Sequence, residues 1–233
     1  MAAQSPLERV VLKATSVADD LGYVALSDLA DVLGPSTYRI IGGHMVTALV
    51  ARRQLRANLY RETGDTDLGV PPVVIREEGL IGRLIERGYK QVAGNRFARP
   101  IDDIPVTVRG IEGHPSAVVD VLIPSYRTRA RNNHRVSDNL VTTEVPGLAL
   151  ALKRKPVLLH MRLHRLNGKQ VDVDVAFPDE VAALSLTSIL GPCSSSNPLE
   201  VQRGGKPKRR LLPPHQGMGM SSSGKPASMS TGV

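Results

Sequence analysis

Two alternating runs joined by an Asn-Gly pair constrain this chain more than any other feature. "VLLHMRLHRL" leads to Asn167-Gly168 and then to "KQVDVDVAF". Asn-Gly favours the tight turn whose twist matches that of paired strands, so the segment reads as a β-hairpin. A chain with such a hairpin must build a sheet and cover at least one of its faces. Asp172 and Asp174 alternate with Val171, Val173 and Val175, the pattern of a strand with one solvated side. His160 and His164 on the first strand have no Cys or acidic partner at metal-ligand spacing, which argues against zinc.

The remaining segments alternate between helical and extended periods. Apolar residues over 6–21 recur at helical spacing, with Gly22 as the stop, and a second short helix is expected over 26–33, from Ser27 to Gly34. Thr37–Ile41 reads as a strand, broken by Gly42-Gly43, after which "HMVTALVARR" resumes as a helix. "DTDLGV" is a second strand. "IREEGLIGRLIERGY" is an amphipathic helix that buries Leu80, Ile81, Leu84 and Ile85 and is capped by Gly88. "TVRGI" and "AVVDVLI" are further strands, and a last helix starts near Pro178. The class is therefore α+β, a mixed sheet flanked by helices. Its expected organisation is N-terminal helices over 1–34, a sheet domain over 35–190, and a Gly/Pro/Ser-rich basic tail over 191–233 with the composition of a disordered segment.

Composition narrows the setting. With two Phe and no Trp, the core must be aliphatic. The single Cys193 excludes an intrachain disulfide, fits a reducing compartment and has no partner for catalysis. The start lacks a signal-peptide pattern, and no apolar run approaches the roughly 20 residues that span a bilayer. A cytoplasmic protein without membrane contact is the expectation. The formal charge is +8, and the tail supplies much of it through Arg203, Lys206, Lys208, Arg209, Arg210 and Lys225 against Glu200. A second basic run, "SYRTRARNNHR", carries Arg127, Arg129, Arg131 and Arg135. Either could meet phosphates or be a solvated surface.

Three features carry chemistry. Gly42 and Gly43 sit between a strand and a helix start, where unpaired N–H groups and close backbone approach suit a phosphate. Asp65 and Asp67 lie two apart on a strand, so they share a face, which is either a solvated surface or a place where a cation separates two like charges. Asp120 interrupts "AVVDVLI", apolar on both sides, and needs a partner charge, a proton or a metal. Carboxylates suit Mg2+, a hard cation. Together these features describe a two-metal phosphoryl-transfer site. In it Asp65 and Asp67 bridge the metals, and Asp120 completes the metal nearer the nucleophile and accepts its proton.

"IIGGHMVTAL" followed by "RETGDTDL" resembles the signature of the DNA-polymerase-β superfamily of nucleotidyltransferases, in particular the AbiEii-type toxins of toxin–antitoxin systems. Gly42-Gly43 and Arg61-x-Thr63-x-Asp65-x-Asp67 match the motif position by position, and Asp120 matches the third strand carboxylate. Over roughly residues 25–186 the resemblance implies a nucleotidyltransferase-like mixed sheet. It implies metal and catalytic roles for Asp65, Asp67 and Asp120, and nucleotide binding by Gly42, Gly43, Thr63 and Arg61. It also implies Mg2+, an NTP substrate, a tRNA acceptor and a cognate antitoxin partner.

The family continues with a helix bearing a Lys, then an Arg and a Lys-Asp pair. Here "EVAALSL" runs instead into the Gly/Pro/Ser-rich segment, so the C-terminus is expected to be a truncated or frame-shifted end. Three other readings stand beside the leading one. The chain is a catalytically inactive remnant that binds RNA or an antitoxin, the tail is an RNA-binding arm, or the acceptor is a small aminoglycoside. His44, Lys153 and Lys155 are further candidates for phosphate contact, and Asp172 and Asp174 for the third carboxylate.

Overall fold

The computed structural model describes residues 8–55, 62–76, 79–104, 114–127, 131, 133–137 and 140–189. Its first element corrects the expected helix over 6–21. Residues Glu8–Lys13 form strand β1, in which Val10 and Leu12 are buried while Val11 is 51% exposed. Burial thus follows a period of two, and Val11 mimicked a helical neighbour of Val10. Ser16 then caps helix α1 (Val17–Val32), its hydroxyl accepting the Asp19 N–H at 3.1 Å. This helix passes straight through Gly22 and absorbs the second short helix expected over 26–33. Residues 8–34 therefore hold a strand and one long helix, where a set of helices was expected.

Strand β2 (Arg39–Ile41) leads into helix α2 (Gly42–Arg52), which starts at the two glycines themselves. Strand β3 (Asp65–Gly69) follows. The single amphipathic helix expected next is two, α3 (Pro72–Arg76) and α4 (Leu80–Glu86). Gly79, at φ 63°, takes the left-handed conformation that restarts the chain between them. Leu80 and Leu84 are buried, but Ile85 is 57% exposed and lies off the apolar face. Gly88 closes α4 with its N–H on the Ile85 carbonyl at 2.9 Å. "TVRGI" lies outside the described residues, as do Arg61, Arg129 and everything from residue 190 onward, Cys193 included.

Several short elements had no clear signature: β4 (Lys90–Gln91), β5 (Arg96–Pro100), β7 (His134–Ser137), β8 (Leu140–Thr142), β9 (Glu144–Val145) and helix α5 (Leu148–Lys153). The expected long strand is β6 (Ser116–Pro124), and the hairpin is β10 (Val157–His164) with β11 (Gln170–Phe177). Helix α6 (Glu180–Ile189) is the last described element. The central sheet runs β2-β3-β6-β5-β4, with β9 beside the end of β6; β1-β10-β11 form a second sheet and β7-β8 a small ribbon. The α+β class is what these mixed sheets and helices define.

Helix α1 packs on β3 and β6, and Leu148 of α5 reaches Gly69 on the opposite face of β3. Two buried aspartates tie α1 down. Asp20 accepts Arg165 Nη2 at 2.8 Å and the Leu166 N–H at 2.9 Å, at the start of the hairpin turn. Asp28 accepts Arg87 Nε, Tyr89 Oη and Arg99 Nη2 at 2.9, 2.9 and 2.6 Å. Among the described residues, no helix is long and apolar enough to cross a membrane.

Candidate functional site

The central sheet brings the expected residues into one row. Ile41 of β2 pairs with Asp67 of β3, Asp67 with Asp120 of β6, and Asp120 with Arg96 of β5. Because β3 and β6 run parallel in this register, Asp67 and Asp120 stand directly opposite and face the same way, with Asp65 two residues along. Thr66 and Leu68 point into the core on the other face.

Gly42 follows Ile41 and completes the row. Its φ is +67°, and a Cβ there would lie 1.9 Å from Asp67 Oδ2. Glycine is demanded twice, by the backbone conformation and by the carboxylate pressed against it. A Cβ on Gly43 would meet Thr63 Cβ at 2.9 Å. Thr63 in turn donates its hydroxyl to Asp65 Oδ1 at 3.0 Å, so this predicted nucleotide-binding residue holds a carboxylate. The expected set Gly42, Gly43, Thr63, Asp65, Asp67 and Asp120 is thus gathered in one place, and Arg61 lies outside the described residues.

Arg96 is the residue that sequence reasoning missed. Its Nε and Nη2 donate to the two oxygens of Asp120 at 2.9 and 2.6 Å, and Nη2 also reaches Asp65 Oδ2 at 3.1 Å. Asp120 is 8% exposed, as its apolar strand predicts, and the partner charge that its burial requires is this guanidinium. The hydrogen bonds to Asp120 come first in holding Arg96 charged, its pKa pushed further up. The signal for Arg96 was its register opposite Asp120, which becomes readable once "RFARP" is recognised as a strand.

Arg96 relieves Asp67 only through space. Burial first, then Asp65 and Asp120, push its carboxyl from 3.8 up to about 7. Among the described residues, no side chain donates a hydrogen bond to it. The donor chemistry, three carboxylates with excess negative charge and glycine backbone beside them, suits a hard divalent cation. Among the described residues, no group of three or more His, Cys, Asp or Glu is arranged to hold a metal.

His44, a candidate for phosphate contact, is buried against Gly22, whose Cβ would lie 2.4 Å from His44 Cε1. Burial pulls its pKa down to about 4, so the ring is neutral. Asp172 and Asp174 sit on the exposed face of the hairpin, paired with Arg162 and His160 at 2.9 and 2.8 Å, away from the row. Comparison with protein-family models, with curated proteins and with solved structures finds no match for this chain.

Proposed function

We propose that this chain is a Mg2+-dependent nucleotidyltransferase of the AbiEii toxin type, moving a nucleoside monophosphate from an NTP to a tRNA acceptor. One observation carries the reading: Gly42, Asp67 and Asp120 meet in a single row across three strands, with Asp65 beside them. That arrangement sets carboxylates beside the N-terminus of an 11-residue helix. Backbone N–H groups at Gly42 and Gly43 receive triphosphate oxygens there, and the missing Cβ atoms let the phosphates approach. Asp65 and Asp67 would hold Mg2+, which supplies charge neutralisation of the triphosphate and a more acidic acceptor hydroxyl. The acceptor oxygen bonds to the α-phosphorus, the bond to pyrophosphate breaks, and the hydroxyl proton passes to a carboxylate of the trio.

The test is label transfer. The full chain is incubated with Mg2+, each α-labelled NTP and total tRNA, beside Asp67→Ala. Label on RNA with the unmutated protein and a loss of at least about 1000-fold in the variant is the expected result. A folded protein that labels nothing overturns it. A second reading is favoured by Arg96, which already neutralises Asp120 and Asp65 without a metal. On that reading the chain is an inactive binding module for RNA or an antitoxin. It predicts RNA or antitoxin binding with no label transfer and no effect of Asp67→Ala on binding.

A further inference from the structure

We infer that the loop opening at Ser125 is a contact site for single-stranded RNA, with the Tyr126 ring as a stacking platform for a base and Arg127 and Arg131 as phosphate contacts. The inference rests on the RNA partner of the readings above and gives that partner a place on the chain. Aromatic side chains are scarce here, two Phe and five Tyr. The fold buries nearly all those described: Tyr23, Tyr38, Tyr89, Phe97 and Phe177 are each 5% exposed or less. Tyr126 is the exception among the described aromatics, at 74% exposed, more than any other large apolar side chain described. It stands beside Arg127 in a stretch, 125–137, that holds four Arg and no Asp or Glu. An exposed ring among guanidinium groups matches what a single strand offers. The ring stacks on any base, and the cations meet the phosphates between bases. An acidic protein would engage the cations and leave the ring unused.

The loop is held from beneath. Glu144 of β9 is buried, and its carboxylate contacts all go to this stretch. Its Oε2 accepts the Ser125 hydroxyl at 3.1 Å and the Arg131 N–H at 3.2 Å, and its Oε1 lies 2.8 Å from His134 Nδ1. The Glu144 N–H returns to the Arg131 carbonyl at 3.0 Å, and the Ser125 N–H to the Val145 carbonyl at 3.1 Å. One inward-facing carboxylate thus ties both sides of the loop, which lowers the ordering cost when a ligand docks. The Arg127 and Arg131 side chains make no hydrogen bond or ion pair among the described residues. Arg87, Arg96, Arg99 and Arg165 differ, since aspartates hold each of them. The position also suits a polymeric acceptor. Asp120 lies four residues, about 13 Å of strand, before the last residue of β6, and Tyr126 follows that strand. A few nucleotides bridge this distance, so one RNA rests on Tyr126 while its end lies at the row.

The experiment measures binding of a fluorescein-labelled oligouridylate of about ten nucleotides to the full chain by anisotropy, at about 0.15 M and about 0.5 M salt. Tyr126→Ala is expected to weaken binding about tenfold at both salts, because stacking is not screened, and Tyr126→Phe to bind within about twofold of the unmutated protein. Arg127→Gln and Arg131→Gln are each expected to flatten the slope of log affinity against log salt by about 0.7. All four substitutions are at exposed residues, and unchanged urea unfolding checks that the fold is kept. An affinity in Tyr126→Ala within about twofold of the unmutated protein overturns the inference. Tighter binding of labelled poly-glutamate than of the RNA assigns the loop to an acidic protein and overturns it as well. Label transfer with RNA affinity unchanged in Tyr126→Ala removes this inference and keeps the enzyme. Tyr126-dependent RNA binding without label transfer removes the enzyme and keeps the inference.

Discussion

At the scale of single residues, Asp67 carries the site's internal conflict. Its carboxyl is raised from 3.8 to about 7 by burial and by two neighbouring carboxylates. Between those values the folded chain holds a proton that the unfolded chain has released. Stability from this group is therefore complete below pH 4 and is lost as pH rises through about 7. The full linkage value for such a shift is on the order of 4 kcal/mol. Asp67→Asn is expected to unfold at higher urea than the unmutated protein at pH 8 in chelator, and at the same urea at pH 4. Buried His44, with a pKa near 4, has the opposite slope between pH 4 and its ordinary 6.5. Taking the difference between the two proteins at each pH removes that contribution. Equal stability at pH 8 would mean that Asp67 is better solvated than its surroundings indicate. The sequence showed this conflict directly, because a D-x-D pair on a strand forces two like charges onto one face. It could not show Arg96, which reaches the carboxylates only across a strand pairing.

At the scale of elements, legibility followed the strength of the period. The hairpin, β3 and β6 were readable because five or more residues repeat a single pattern in each. The start of the chain was not, because a six-residue strand and a helix lie only three residues apart. Any window wide enough to detect a helix there averages the two. The long helix α1 hid behind Gly22, which reads as a stop but is tolerated where His44 leaves no space for a side chain. What keeps α1 in place is also invisible to a hydrophobic pattern. Asp20 is 0% exposed and joined to Arg165, and Asp28 is joined to Arg87, Tyr89 and Arg99. Removing one partner of a buried pair costs about 3–5 kcal/mol where the remaining charge stays desolvated, as Arg165 does at 8% exposure. Asp20→Asn should lose that much in urea unfolding, and Asp28→Asn about 2 kcal/mol, because Arg87 and Arg99 are 43% and 27% exposed. The two sites lie about 12 Å apart along the helix, and the double variant is expected to lose the sum within about 0.5 kcal/mol. Losses under about 1 kcal/mol would show that apolar packing alone positions α1.

At the scale of the whole molecule, the charge and the proposed site belong to different parts of the chain. The row from Gly42 to Arg96 lies within residues 8–189. Residues 190–233 hold six Lys and Arg against Glu200, so +5 of the formal net charge of +8 falls after α6. If RNA is the acceptor, these two parts divide the work between positioning a reaction and gathering a polyanion. Each phosphate contact on a single strand adds about 0.7 to the slope of log affinity against log salt, so losing six contacts flattens that slope by up to about 4. A chain ending at residue 189 should bind labelled tRNA more weakly at low salt and with less dependence on salt, measured by fluorescence anisotropy. Its turnover at saturating tRNA should match the full chain, since no residue of the row has been removed. An unchanged affinity and slope would move the RNA contact to the basic run containing Arg127, Arg131 and Arg135. A lost turnover at saturation would place a catalytic contribution after residue 189.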